Sequence, residues 1–254
     1  MEKTAKIIAV AGKGGVGKTS ISASIVRNLV KAHKEARILA IDADPAIGLS
    51  TALGIEPETT LDDIRKAIVE NVEEGNTKDA IELLGEARFR IFDTIVEKDG
   101  FAFIAIGRPE SKGCYCKINS YLKEVISILS EEFDYVVIDG EAGIEQINRR
   151  VMEKVSHLLL ITDPSKKGTQ VIKTIKKVAD ELVMYDEIGV IVNRMGDLTL
   201  KEYINTSGID VLSYIEEDKE LASFDIQGKS VFNLPDKSKV VIGAREALEK
   251  YNIL

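Results

Sequence analysis

A glycine-rich segment near the N-terminus is the strongest chemical signal in the sequence. Residues 12–19 read Gly-Lys-Gly-Gly-Val-Gly-Lys-Thr and follow an apolar run, Ala5–Ala11. The spacing fits the dinucleotide fingerprint G-x-G-x-x-G, and it also fits the phosphate-binding loop G-x-x-x-x-G-K-[ST]. In both motifs a strand and a glycine turn deliver phosphate to the free N–H groups at the start of a helix.

Lys18 and Thr19 favour the second motif. A nucleoside triphosphate has more charge to neutralise than a dinucleotide, so Lys18 would reach its β- and γ-phosphates while the Thr19 hydroxyl would ligate Mg²⁺. The dinucleotide alternative needs no such lysine, although Asp42 stands where a ribose-binding acid could lie. We therefore predict that ATP or ADP is bound by Gly12, Lys13, Gly14, Gly15, Val16, Gly17, Lys18, Thr19 and Ser20.

Three carboxylates follow predicted strands. Asp42 and Asp44 come directly after Arg37–Ile41, and Asp139 follows Tyr135–Ile138. The carboxyl ends of parallel strands open on one edge of a sheet, where ligands bind. We expect Asp42 and Asp139 around Mg²⁺ and Asp44 to orient the attacking water, although strand-end aspartates also simply cap helices.

The chain has two cysteines, Cys114 and Cys116, and they are separated by one residue. Two thiolates could chelate a soft or borderline metal, but a tetrahedral site needs two more ligands, which a twofold axis through a homodimer would supply. Two alternatives stay open: buried cysteines that act as small apolar side chains, and a strained disulfide.

Short apolar runs alternate with helical patterns along the chain. The predicted strands are Ala5–Ala11, Arg37–Ile41, Phe101–Ile106, Tyr135–Ile138, His157–Ile161, Gly189–Val192 and Asp210–Tyr214. Apolar stripes at helical spacing follow Gly17 and recur in Leu61–Ile68, Tyr121–Leu129, Val171–Leu182 and Ala244–Tyr251. This alternation predicts a single α/β P-loop domain over residues 1–254, whose mostly parallel sheet of about seven or eight strands has helices on both faces. The charged region Glu56–Asp99 is predicted to be only partly helical.

Composition restricts the possible partners. The 254 residues carry 34 Lys and Arg against 42 Asp and Glu, a net charge of −8. A pI near 5.1 argues against general nucleic-acid binding, which needs a basic face. No apolar run is long enough to span a membrane, and two cysteines do not make a disulfide scaffold, so we expect a cytoplasmic protein.

The segment Lys13–Thr19 resembles the deviant Walker A motif of the P-loop ATPase family that contains MinD, ParA and nitrogenase iron protein. The resemblance covers most of the chain, since residues 42–45 look like switch I of that family and residues 139–143 look like switch II. It implies ATP hydrolysis by Lys13, Lys18 and Asp44. Lys13 would be the signature lysine that reaches the phosphates across an ATP-dependent dimer, rather than a solvated loop lysine.

The same resemblance extends to the base of the nucleotide. Residues 192–194, which include Asn193 and Arg194, look like the adenine-contacting strand end, and residues 228–235, which include Leu234 and Pro235, look like the loop that covers the base.

Within the family, the chain is most similar to the accessory ATPases for nickel insertion into carbon monoxide dehydrogenase. The likeness rests on Gly-Cys-x-Cys at residues 113–116, on residues 141–145 and on residues 163–165, with Gln146 departing from an expected histidine. It implies a metallochaperone that binds Ni²⁺ or Zn²⁺ through Cys114 and Cys116 at the dimer interface and has a nickel enzyme as its client. Three alternatives remain: a MinD/ParA-type positioning switch, an iron–sulfur carrier or reductase, and a dinucleotide-dependent oxidoreductase.

Overall fold

The structure, a computed structural model, describes residues 4–74, 85–86, 89–107, 116–140 and 154–254. Its strands form one sheet in the order β3-β4-β2-β5-β1-β6-β7-β8. All neighbours pair in parallel except β3 and β4. The bounds are β1 Lys6–Gly12, β2 Ile38–Asp42, β3 Val96–Lys98, β4 Phe101–Ala105, β5 Tyr135–Asp139, β6 Lys154–Thr162, β7 Met184–Met195 and β8 Val211–Glu216.

The helices of the described residues connect these strands. Those with defined bounds are α1 Lys18–Ala32, α2 Gly48–Leu53, α3 Leu61–Glu73, α4 Cys116–Glu131, α5 Lys166–Leu182, α6 Lys219–Ile226 and α7 Lys239–Lys250, and residues 85–86 and 89–93 are also helical. Short 3₁₀ helices span Leu198–Tyr203 and Val231–Asn233. Among the described residues, none of these helices is long and apolar enough to cross a membrane.

Alternate residues of the buried strands face two separate cores. Ala9 and Ala11 of β1 point into a core that also holds side chains of α3, α4 and α5. Ile8 and Val10 point into a second core with α1, α2 and α7. Helices therefore cover both faces, as the continuous apolar runs of the strands predict. The mostly parallel α/β sheet is confirmed.

Two parts of the sheet differ from the prediction. Strand β3 lies in the region predicted to be only partly helical and adds an antiparallel edge. Its three residues are half-buried or exposed, so they carry no apolar run that would reveal a strand. Strand β7 begins at Met184, five residues before the predicted start at Gly189, because its polar first half pairs with the start of β6.

Candidate functional site

The glycine loop joins two central elements. Strand β1 lies between β5 and β6 and ends at Gly12, and α1 begins at Lys18. A Cβ atom on Gly12 would lie 2.2 Å from the Ile161 carbonyl oxygen of β6. Gly17 has a φ of 93°, and a Cβ there would lie 2.5 Å from the Asn193 side chain. The loop can therefore pass this closely only with glycine at both positions.

Helix α1 starts with free donors. Gly17 occupies its N-cap, and no side chain of the described residues caps it. The first N–H groups of α1 are therefore available to a ligand, and the helix dipole favours a negatively charged one. This is the anion-binding geometry that the motif predicts.

The two lysines of the loop have different surroundings. Lys18 is buried, and its Nζ lies 3.4 Å from the carbonyl oxygen of Lys13. The Lys13 side chain is 36% exposed, and its Nζ lies 3.7 Å from Asp163 Oδ2 at the end of β6. Lys18 is therefore directed inward by the loop itself, whereas Lys13 sits at the surface in a weak ion pair.

Asn193 supports the loop from β7. Its buried side-chain amide donates to the carbonyl oxygen of Val16 at 2.8 Å. No sequence pattern indicates this bond, since the two residues are 177 positions apart. The predicted contact between Asn193 and adenine stays a prediction.

Asp42 and Asp139 face each other on neighbouring strands. They are register partners of β2 and β5, and both are buried. Asp42 accepts hydrogen bonds from the backbone N–H groups of Asp44 at 3.1 Å and Leu49 at 2.8 Å. Burial, followed by repulsion from Asp139, raises the pKa of Asp42 to about 7.

Asp139 is held next to the glycine loop. One of its oxygens accepts the Ser22 hydroxyl of α1 at 2.9 Å. Burial raises its pKa to about 6, although the hydroxyls of Thr19 and Ser22 and the charge of Lys18 act in the opposite direction. Its Oδ2 is buried and has no hydrogen-bond partner within the described part of the chain. Two buried carboxylates and a free oxygen beside Thr19 fit a divalent cation such as Mg²⁺, which prefers oxygen ligands.

A cavity of about 680 Å³ opens in front of the loop. It is lined by Gly14, Gly15, Gly17, Lys18, Thr19 and Ser20 of the loop and the start of α1, and by Asp44, Gly48, Thr51 and Ala52. Asp44 thus lies in the same cavity as the phosphate-binding loop. Its Oδ1 accepts the Ala46 N–H at 2.9 Å.

The rest of the cavity is formed by residues that are remote in sequence from the loop. It is lined by Arg194, Leu221, Phe224, Asp225, Gly228, Lys229 and Val231. Arg194 takes a left-handed backbone conformation, with φ 59°, where β7 and β8 change register. Sequence reasoning missed the α6 residues Leu221 and Phe224, because exposed α6 carries no motif.

Leu234 and Pro235 are not among the residues that line this cavity. Leu234 is buried in the core shared with α1, and its carbonyl oxygen accepts a hydrogen bond from Arg27. Their predicted contact with the base stays a prediction.

The cysteine pair lies at the edge of what the structure describes. Cys114, residues 141–153 and therefore Gln146 lie outside the described residues, and Cys116 is the first residue of α4. Within the described ranges, no group of three or more His, Cys, Asp or Glu side chains is arranged to hold a metal. The segment that leads to Cys114 begins next to Asp42. Ile106, which directly follows β4, donates its N–H to the Asp42 carbonyl oxygen at 2.8 Å.

A family model for the CobQ/CobB/MinD/ParA nucleotide-binding domain matches residues 7–231. The chain belongs to this family. It is an ATPase of the MinD/ParA type, in agreement with the phosphate-binding loop, the buried carboxylates and the cavity.

Individual relatives extend over almost the whole chain. An uncharacterized ATP-binding protein of Methanocaldococcus jannaschii is 37% identical over 248 residues, covering 96% of this chain and 97% of the relative. The carbon monoxide dehydrogenase accessory protein CooC of Rhodospirillum rubrum is 28% identical over 262 residues, covering 93% and 95%. The solved structure of MinD from Pyrococcus horikoshii with Mg-ADP has a TM-score of 0.71 at 20% identity, with 98% and 96% of the chains covered, and shows the same fold.

Proposed function

We propose that this ATPase assists the insertion of nickel into a carbon monoxide dehydrogenase-like enzyme, through a nucleotide-controlled homodimer with a Cys-x-Cys metal site between the subunits. The observation that carries the proposal is the hydrogen bond from Ile106 to Asp42. It ties the start of the cysteine-bearing segment to a carboxylate residue of the nucleotide site. The likeness to CooC over almost the whole chain supports the client class.

The phosphate chemistry is divided among the loop, the carboxylates and Lys13. The N–H groups at the start of α1 and the Lys18 ammonium hold the β- and γ-phosphates. Mg²⁺, bound by Thr19 with Asp42 and Asp139 around it, would neutralise the charge of the triphosphate. Asp44, which lines the same cavity, orients the attacking water in line with the leaving group.

Lys13 acts in the partner subunit. Its partly exposed side chain makes only a weak ion pair with Asp163, so little free energy opposes its transfer to another surface. At the partner's phosphates it stabilises the charge that develops during transfer. Hydrolysis then requires two chains, so ATP binding closes the dimer and hydrolysis releases it.

The metal ion is cargo in this scheme. Cys114 and Cys116 from each chain provide four thiolates, a ligand set that suits Ni²⁺ or Zn²⁺. Closure of the dimer changes the separation of the two thiolate pairs. Because Ile106 is bonded to Asp42, movement of the switch segment on hydrolysis reaches the cysteine segment directly.

The test is anaerobic purification followed by elemental analysis and light scattering, with ADP and with ATP. We expect a dimer with ATP that binds about one Ni²⁺ or Zn²⁺ per two chains. The Cys114→Ser/Cys116→Ser variant should lose the metal and keep ATP hydrolysis. Ser120→Ala, at an exposed position of the same helix α4, serves as the matched control.

Other outcomes would identify the alternatives. A protein that stays monomeric and binds no metal in every nucleotide state contradicts metal delivery. A double cysteine variant with intact cellular function favours a positioning switch. Iron together with acid-labile sulfide in the preparation indicates an iron–sulfur cluster; colour alone does not, because nickel–thiolate sites also absorb visible light whereas zinc sites do not.

A further inference from the structure

The segment of residues 228–236 forms part of the nucleotide cavity without belonging to the sheet. Gly228, Lys229 and Val231 line the same cavity as the phosphate-binding loop. The segment contains only the 3₁₀ helix Val231–Asn233, so its position depends on contacts with other elements. Because the glycine loop takes the phosphates, the nucleoside part of a bound nucleotide has to lie in the rest of the cavity, which this segment borders.

Arg27 of α1 provides the strongest of these contacts. Its side chain is 1% exposed, and its Nη2 donates to the Leu234 carbonyl oxygen and to Asp236 Oδ1, both at 2.7 Å. Its Nε lies 3.5 Å from the Phe232 carbonyl oxygen. The buried Arg27 guanidinium keeps this segment at a fixed distance from α1. Moving the segment away would leave the guanidinium and the backbone carbonyl oxygens without hydrogen-bond partners, which is unfavourable.

Three further contacts attach the segment to its surroundings. Asp236 also pairs with Lys31, one turn further along α1, and the two cations hold the pKa of Asp236 at about 2. Ser230 donates its hydroxyl to the Ala52 carbonyl oxygen of α2 at 3.3 Å, and the Phe232 ring stacks on Phe101 at 5.2 Å.

Helix α1 therefore connects the phosphate-binding loop to the segment of residues 228–236. Its first turn carries Lys18 and Thr19 at the phosphate end, and Arg27 lies nine residues later, about 13 Å along the helix axis. A single rigid helix sets the distance between the phosphate-binding loop and the segment of residues 228–236.

We propose that Arg27 is a positioning residue for nucleotide binding: it holds residues 228–236 against the nucleoside part of ATP and leaves the phosphate end unaffected. The inference rests on ATP binding in this cavity. It predicts that Arg27 variants bind ATP more weakly but bind a ligand that has phosphates only with unchanged affinity. A general loss of stability would weaken the binding of both ligands.

The experiment compares Arg27→Lys and Asp236→Asn with the wild type in steady-state ATP hydrolysis and in inhibition by inorganic tripolyphosphate. For Arg27→Lys we expect KM for ATP to rise about 10-fold or more, with kcat at saturating ATP within about twofold and unchanged inhibition by tripolyphosphate. Arg37→Gln, which alters an exposed arginine paired with Glu132, is the matched control and should leave all three values unchanged.

Asp236→Asn keeps the proposal testable if Arg27→Lys does not fold, because Asp236 is 65% exposed. It should raise KM in the same direction by a smaller factor, about threefold. An unchanged KM, or an equal loss of ATP and tripolyphosphate affinity, would overturn the role of Arg27. A wild-type protein that tripolyphosphate does not inhibit would instead contradict the phosphate-binding loop, whatever Arg27 does.

Discussion

Replacing Asp139 by asparagine should stabilise the nucleotide-free protein at alkaline pH while it removes magnesium-dependent hydrolysis. Burial raises the pKa of Asp139 from 3.8 to about 6. A carboxyl whose folded-state pKa lies above its unfolded value holds its proton more tightly in the folded protein. Its contribution to stability is therefore fully present below about pH 4 and is lost as the pH rises through about 6.

The magnitude follows from the size of the shift. About two pKa units correspond to about 3 kcal/mol, because one unit is worth about 1.4 kcal/mol. The asparagine side chain keeps the shape and an acceptor for the Ser22 hydroxyl but carries no charge. At pH 8 the Asp139→Asn variant should gain up to about 3 kcal/mol in free energy of unfolding, which is roughly 5–10 °C in Tm for a chain of this size.

The assay is thermal unfolding between pH 4.5 and 8.5 with a chelator and no nucleotide. The gain in Tm should grow with pH for Asp139→Asn, and Asp186→Asn, whose carboxylate is 61% exposed on β7, should show no such trend. Hydrolysis with Mg²⁺ should fall at least about 100-fold in the Asp139 variant. A Tm deficit that is the same at every pH would refute the reasoning, because it would mean that the Asp139 carboxylate is stabilising in the folded protein.

Three further variants examine the loop. Lys13→Gln should bind ATP within about threefold of the wild type in calorimetry but lose about 100-fold or more in phosphate release, and a parallel loss of binding would contradict a role confined to hydrolysis. Asn193→Ala leaves the buried Val16 carbonyl without its donor, so calorimetric unfolding should show a loss of about 1–3 kcal/mol together with weaker ADP binding. Gly12→Ala brings a Cβ to 2.2 Å from the Ile161 carbonyl oxygen and should lower both Tm and ATP affinity, whereas its control Gly14→Ala, with no atom within 4 Å of the added Cβ, should keep the wild-type Tm.

The phosphate end of the site was predictable because its parts are adjacent in sequence. A strand, a glycine turn and a helix start follow one another within residues 6–20, and each strand-end aspartate follows its own apolar run. Parallel pairing then brings Asp42 and Asp139 together without further information.

The long-range contacts that hold residues 228–236 and the glycine loop in place were not predictable, for the opposite reason. Arg27 reaches Leu234 over 207 positions, and Asn193 reaches Val16 over 177. Neither residue departs from what an ordinary helix or strand would carry, so no local pattern reveals the contact. Helix α5 shows the same limit on a smaller scale: its apolar stripe begins at Val171, but Ser165 caps the helix six residues earlier by accepting the Gly168 N–H.

Asp42 contacts each part of the molecule that the proposed nucleotide-dependent mechanism has to couple. Its carboxylate faces Asp139 at the cation site and accepts the Leu49 N–H near the start of α2, the helix that follows Asp44. Its backbone carbonyl accepts the Ile106 N–H at the root of the segment that carries the cysteines. In the proposed mechanism, a cation between the two carboxylates would remove their mutual repulsion and favour the charged form of Asp42. Asp42 would then transmit the change to α2 through its carboxylate and to Ile106 through its backbone carbonyl.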